Sequence, residues 1–344
     1  MVAFVLVFAV SLILSLTLTP LAIRVGRRWG LVAIPDERRH HVGIIPQSGS
    51  LSLYLAFALT LLLIVSLPMG WMPPMPEGPD PNESTRLFGV LAGLTFLFVV
   101  GLIDDKKDLS SRIQLLAHVA AAGIAMAFLI FIEVVNNPFT DQQLWIPWPL
   151  PVLITVFWIA GMISTVNFMD GLDGLAAGVT AIVALVLTIH MIREQQYSVA
   201  LLPLALLGST LGFLPFNVHP ARIFMGSGAH LLGYALGTLS IIAGARVATM
   251  LLVLLIPIMD VAWQAYTRWR AGKQVGEGGR GHLHYRLLDL GLSQRQIVAL
   301  YYLVTAILGG LALFISHRLY KLFALLILGG FGLVLLIFTT RRRS

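Results

Sequence analysis

Long apolar runs limit what this chain can fold into more than any other feature. About 20 apolar residues span a bilayer, and such runs recur along the chain near 2–23, 50–71, 86–103, 113–134, 149–166, 173–192, 198–215, 228–244, 247–266, 297–316 and 321–340. Of its 344 residues 58% are hydrophobic and 11% charged, with mean hydropathy +0.88. A soluble domain carries about 25% charged residues. The sequence therefore predicts an all-α polytopic membrane protein of about eleven transmembrane helices, one integral membrane domain over residues 1–344. The first run lacks a preceding basic residue and a small-residue cleavage pattern, so it is expected to be a spanning helix and no signal peptide. There is no cysteine, which removes disulfides and thiolate metal sites.

The basic residues orient this arrangement. With the N-terminus outside and the spans alternating, 18 of the 23 Lys and Arg fall on one side. The five on the other are Arg86, Arg193, Arg246, Arg318 and Lys321. The positive-inside rule makes the richer side cytoplasmic, and with it the C-terminus. The net charge of +7 then reflects topology, and nucleic acid is not an expected partner. The cytoplasmic loops are 24–49, 104–112, 167–174, 216–228 and 267–296; the expected outside loops Met72 to Glu83 and Asn136 to Trp148 read as connectors.

Charges are expensive next to lipid unless water or a partner meets them. Asn167-Phe-Met-Asp170-Gly-Leu-Asp173-Gly therefore stands out, as does Asp104-Asp105 at the end of the third run. Two adjacent carboxylates repel and need a cation or a shared proton. Lys106 and Lys107 are candidate partners; a divalent ion is a better one. Oxygen donors favour magnesium or manganese, and magnesium binds beside substrate phosphates. Asn167, Asp170 and Asp173 would share one helix face at i, i+3, i+6 if the segment is helical; Asp-Gly is equally a turn pair. His282 and His284 suit an extended segment with both rings pointing one way, and Arg280 and Arg286 beside them favour a diphosphate over zinc. Arg38 and Arg39 are either phosphate ligands or topology anchors. Asp260, after Pro257, is a candidate partner for a basic loop residue. Together these loops suit phosphoryl transfer from a soluble nucleotide to a membrane-bound acceptor, chemistry in which the protein mostly positions and neutralises charge. A cation-coupled transporter is the alternative from another class, but it would place acids near the midplane of the bilayer.

Five motifs carry a resemblance over nearly the whole chain: Pro35-Asp-Glu-Arg-Arg-His-His41, Gly101-Leu-Ile-Asp-Asp105, Asn167-Phe-Met-Asp-Gly-Leu-Asp-Gly-Leu175, Asn217-Val-His-Pro-Ala-Arg-Ile-Phe-Met-Gly226 and His282-Leu-His-Tyr-Arg-Leu287. In combination they resemble the polyprenyl-phosphate N-acetylhexosamine-1-phosphate transferases (WecA/MraY-like, closest to the WecA-like branch). The resemblance implies transfer of a sugar-1-phosphate from a UDP-sugar, by default the N-acetylglucosamine one, to undecaprenyl or another polyprenyl phosphate. UMP is released with Mg2+ (or Mn2+) as cofactor, in the cell membrane with the site facing the cytoplasm. That is a first membrane step of cell-envelope glycan synthesis, such as lipopolysaccharide or teichoic acid. A homodimer is left open.

By position the resemblance implies a catalytic set of Asp104, Asp105, His282 and His284. Asp104 would deprotonate or orient the lipid phosphate. Asn167 and Asp105 would support the metal. Asp170, Asp173, Asn217, Phe224 and Arg286 would bind the nucleotide-sugar, with Phe224 stacked on uracil and His282, His284 and Arg286 toward the diphosphate or sugar. Three departures accompany it. The family pattern Met-Gly-Asp-Ser-Gly is Met225-Gly226-Ser227-Gly228 here, one metal-binding Asp short, with His230 the closest polar side chain. Pro46-Gln47-Ser48-Gly49-Ser50 stands where Pro-Arg-x-Gly-Gly is usual, and Tyr285 stands where His is usual. These departures imply weakened turnover, in the extreme a relative that binds UDP-sugar or lipid phosphate without efficient transfer.

Overall fold

In the computed structural model the described residues are 2–33, 43–73, 81–137, 139–140, 142–244, 247–272, 281–315 and 317–341. The Pro35 to His41 motif, with Arg38 and Arg39, lies outside them, as do Arg246 and Arg280. The described chain is almost entirely helical: α1 (Val2–Trp29), α2 (Gly49–Ser66), α3 (Glu83–Lys107), α4 (Ser111–Ala127), α5 (Leu150–Met169), α6 (Leu175–Arg193), α7 (Leu201–Asn217), α8 (Gly228–Ile242), α9 (Val247–Val253), α10 (Leu255–Arg270), α11 (Leu283–Asp289), α12 (Gln294–Phe314) and α13 (Arg318–Arg341). Two small antiparallel ladders join loops: β1 (Val32–Ala33) with β2 (Ile45–Pro46), and β3 (Val134–Asn136) with β4 (Gln143–Trp145).

Among the described residues seven helices are long and apolar enough to cross a membrane, or eight if the bent pair α9–α10 is one span. The chain is a multi-pass membrane protein. The remaining segments of the expected eleven are the shorter apolar helices α4, α7 and α8.

Several boundaries differ from the sequence expectation for local reasons. The run 50–71 stops being helical at Ser66, because Pro68 biases Leu67 to extended backbone (ψ 136°). The run 113–134 ends at Ala127, followed by Leu129 at φ 61° and then β3. The run 247–266 is broken by an 85° bend between α9 and α10. Pro257 explains that break, since its ring clashes with the carbonyl four residues earlier. The run 173–192 starts as a helix only at Leu175, after Gly174 at φ 80°.

Close packing without a hydrophobic gradient needs small residues where helices meet. The buried stripe of α1 is Ala3, Val7, Ser11, Ser15, Thr19, Ala22 and Gly26. It faces α7, where a side chain on Gly208 or Gly212 would run into the α1 backbone at 2.8 and 2.6 Å. Ser11 Oγ also donates to Ala205 O at 2.6 Å. Every residue of α8 is buried, which makes it the central helix. Its Tyr234 hydroxyl donates to Gly89 O of α3 at 2.9 Å. By contrast α13 presents Phe331, Leu326 and Ile327 outward, as a helix in lipid does. The N-terminus of α8 and the C-termini of α3, α5 and α7 meet at one end of this bundle, and the polar residues collect there.

Candidate active site

A cavity of about 680 Å3 opens at that end, within the size range of small-molecule sites. Asp104, Asp105, Asn167, Asp170, Asp173, Asn217 and Phe224 all line it. These are residues from three separate sequence motifs, and the helix ends bring them together.

Asp104 and Asp105 sit in the last turn of α3, which Asp108 closes in the left-handed region (φ 52°). The two neighbours are held differently. Asp104 Oδ1 accepts from Leu109 N (2.8 Å) and Gln114 Nε2 (3.1 Å), and its Oδ2 accepts from the same amide at 3.1 Å. Asp105 points toward α8: Oδ1 accepts from Ser227 N at 2.8 Å and Oδ2 from Ser227 Oγ at 2.8 Å, with Ser50 Oγ at 3.4 Å. A carboxylate at a helix N-terminus is favoured by the helix dipole. Gly226 makes this contact feasible, with φ 58°; a Cβ there would lie 2.8 Å from Asp105 Oδ1 and 2.7 Å from Gln47 O. The shortened Met225–Gly228 loop therefore puts Ser227 against Asp105.

Asn167, Asp170 and Asp173 do not share a helix face, because α5 ends at Met169. Asp170 is its C-cap and Asp173 lies in the following turn. All three still reach the cavity. Asp173 Oδ2 is engaged by His219 Nδ1 (2.7 Å) and Ala221 N (3.2 Å). Burial, and then the charges of Asp173 and Asp105, push the Asp170 carboxyl up to about 7. Asn217 spans the loop: its Oδ1 accepts from Gly174 N (3.2 Å) and its Nδ2 donates to Ile223 O (3.0 Å). Phe224 is held by its backbone, N to Pro46 O at 2.8 Å and O from Gly49 N at 3.0 Å, which leaves its ring on the cavity wall.

The segment 282–287 is placed differently. His282, His284 and Arg286 do not line the cavity; Tyr285 does. The expected extended segment is instead the start of α11, with His282 as its N-cap (ψ 151°). The two imidazoles are nevertheless nearly parallel, 4° apart, with centroids 5.8 Å apart. His282 Nδ1 meets Asp260 Oδ2 at 2.9 Å, so Asp260 pairs with this histidine. Arg286 donates to Gly281 O at 2.6 Å, Thr340 Oγ1 at 2.7 Å and Leu336 O at 3.3 Å. His284 packs beside Gly171, and burial, followed by the neighbouring His282, pushes its imidazole down to about 3. It is neutral at physiological pH.

Sequence reasoning missed several wall residues: Gln47, Gln114, His219, Ser227 and Gln294. His219 had a signal, standing two residues after Asn217 in the same motif. Gln114 had none, since its role depends on α4 folding back beside α3.

The cavity's donors suit a hard cation. Asp105, Asp170 and Asn167 offer oxygen ligands, and burial beside Asp173 and Asp105 disfavours the Asp170 carboxylate until a cation joins it. Among the described residues no three acid or imidazole groups form a ready-made metal cage. Magnesium does not need one, because it uses one or two carboxylates with water and substrate phosphates.

Comparison with known proteins identifies the family. The profile described as Glycosyl transferase family 4 matches residues 87–244, which include both acidic motifs and the Asn217–Gly226 loop. A decaprenyl-phosphate N-acetylglucosaminephosphotransferase of Mycolicibacterium smegmatis is 32% identical, over 82% of this chain and 74% of that protein. The chain belongs to glycosyl transferase family 4. A probable undecaprenyl-phosphate N-acetylglucosaminyl 1-phosphate transferase of Bacillus subtilis is 29% identical over 88% of this chain and 82% of its own length. A phospho-N-acetylmuramoyl-pentapeptide-transferase of Geobacillus kaustophilus is also 29% identical, over 91% and 98%. The glycosyl transferase family 4 chain is thus an enzyme of the polyprenyl-phosphate phosphoglycosyl transferase kind.

Proposed function

We propose that this enzyme transfers N-acetylhexosamine-1-phosphate, in the first instance N-acetylglucosamine-1-phosphate, from a UDP-sugar to polyprenyl phosphate at the cytoplasmic face of the cell membrane. An oxygen of the lipid phosphate bonds to the sugar-linked phosphorus, the bond to the bridging oxygen breaks, and UMP leaves with that oxygen. The observation that carries this reading is the convergence of Asp104, Asp105, Asn167 and Asp170 on one cavity beside the Phe224 ring. The names of the relatives supply the sugar and the lipid.

In this reading Asp104, fixed by Gln114 and Leu109, orients the lipid phosphate and takes its proton. Asn167, Asp105 and Asp170 would hold magnesium against the diphosphate. When bound, magnesium supplies positive charge for the diphosphate oxygens. Phe224 stacks on the base, and Asp173, with His219, shapes the nucleotide end of the cavity. His282 and Arg286 contribute by holding α11, so that Tyr285 faces the cavity. The test is a transfer assay in detergent with polyprenyl phosphate, magnesium and a panel of radiolabelled UDP-sugars. Labelled lipid from the N-acetylglucosamine donor is expected; UDP-sugar binding with no lipid product from any donor would overturn it.

One observation favours a second reading, binding with impaired turnover. Asp105 is bound through both oxygens by Ser227, the residue that closes the shortened loop. Inserting Asp between Gly226 and Ser227 is then expected to raise transfer by about 10²-fold, the scale of a lost charge-stabilising group. Equal turnover of the parent and the insertion variant would sink this second reading.

A further inference from the structure

His118 of α4 and His230 of α8 have no part in the transfer chemistry above. Both are buried, at 4% and 6% exposure. Their rings meet edge to face, centroids 4.9 Å apart and planes at 72°. His118 Nδ1 and Nε2 and His230 Nε2 are buried with no hydrogen-bond partner. Leaving such nitrogens unpaired costs about 1–3 kcal/mol each, and folded proteins seldom leave them so. His230 lines the cavity, which gives the pair a route to a solute.

The surroundings narrow what that solute is. The Asp104 carboxylate lines the same cavity as His230. Gln114, one helical turn before His118 on the same face of α4, donates to that carboxylate at 3.1 Å. His230 and Asp104 thus stand on one cavity wall, with His118 in ring contact with His230. At a 4.9 Å ring separation one ion can sit at zinc–nitrogen distance, ~2.0–2.1 Å, from a nitrogen of each ring. Imidazole suits zinc, cobalt and nickel, while magnesium prefers oxygen.

We propose that His118 and His230 form a two-imidazole site for a borderline divalent transition-metal ion such as zinc, with Asp104 as the adjacent carboxylate, distinct from the oxygen site at Asp105 and Asp170. Water completes the coordination, since no third ligand is already in place among the described residues. A bound ion would put its charge beside Asp104.

The test uses the full chain in detergent, loaded with Zn2+, washed in excess Mg2+ and analysed for metal. About one retained zinc per chain is expected, with retention down about tenfold or more in His118→Gln and in His230→Leu and unchanged in Asp105→Asn. Co2+ titrated into the parent should give visible absorption bands of nitrogen-bound cobalt, a reading that needs no variant. A parent that retains no zinc and gives no such bands overturns the proposal. So do variants that match the parent's thermal unfolding in EDTA and still retain its zinc.

Discussion

The two polar regions at this end of the helix bundle contain similar residues and use them in opposite ways. Around the cavity, burial and then the neighbouring Asp173 and Asp105 push the Asp170 carboxyl up to about 7, and no cation among the described residues pairs with it. Around α11, two polar groups are matched inside the protein, His282 to Asp260, and Arg286 to Thr340, Gly281 and Leu336, while His284 Nε2 stays without a hydrogen-bond partner. Residue type and membrane side are the same; the local accounting of partners differs. A group left unsatisfied at a cavity is poised for a ligand, whereas one fully satisfied beneath it fixes the backbone. Substitutions should therefore separate the regions, costing turnover in the first and stability in the second.

The largest effect is expected for Asp105→Asn. It weakens charge at the wall while leaving an isosteric acceptor for Ser227, so transfer should fall by about 10²-fold or more with little change in unfolding temperature. A variant within a few-fold of the parent's turnover would remove Asp105 from the chemistry and erase the contrast.

Next is the pH dependence set by Asp170. Its carboxyl titrates near 7 when folded against 3.8 ordinarily. The folded value is raised, so ionisation disfavours the folded state: stability falls as pH rises from about 4 to about 7 and then levels. Asp170→Asn should reduce that slope and unfold at a higher temperature than the parent at pH 8, with the two alike at pH 4. Magnesium–nucleotide binding should run the other way, weakening below pH 7 in the parent as the carboxyl protonates. An unchanged stability slope in Asp170→Asn would show that the penalty lies elsewhere.

How much of this was legible beforehand follows the same division. Apolar runs announce helices, because a chain in lipid must satisfy its own backbone, and Asp104-Asp105 and Asn167–Asp173 announced themselves as charges that lipid does not tolerate. Their convergence on one cavity was readable from the loop side assignment. Direction was not. Nothing in His282-Leu-His-Tyr-Arg says that Tyr285 would face the cavity and Arg286 would face Thr340, because that depends on α11 docking against α13. Nor did Met225-Gly226-Ser227-Gly228 reveal that Ser227 would close on Asp105; that required the left-handed turn at Gly226. Helix ends set by Pro68 and Pro257 were within reach of local rules, and the hydropathy windows simply ran past them.

In the second region, Asp260→Ala should leave His282 buried without its partner and free Leu283 N as well. The expected cost is about 1–3 kcal/mol of stability, seen as a lower unfolding temperature, with UDP-sugar affinity per folded molecule close to the parent's. A variant as stable as the parent but unable to bind donor would move this histidine into the binding machinery.

The smallest effect belongs to the residue that joins the two regions. Tyr285 lies on α11 yet lines the cavity, and its hydroxyl donates to Gly171 O at 3.3 Å, between Asp170 and Asp173. The ring also packs on His284, centroids 4.2 Å apart. Tyr285→Phe keeps the packing and removes one long hydrogen bond, worth about 0.5–1.5 kcal/mol at most. If α11 acts by holding the acidic turn in place, this change should raise KM for the UDP-sugar a few-fold and leave kcat nearly unaltered. A fall in kcat with KM unchanged would instead put the hydroxyl at the reacting phosphate, and the matched region would have to be counted as part of the chemistry.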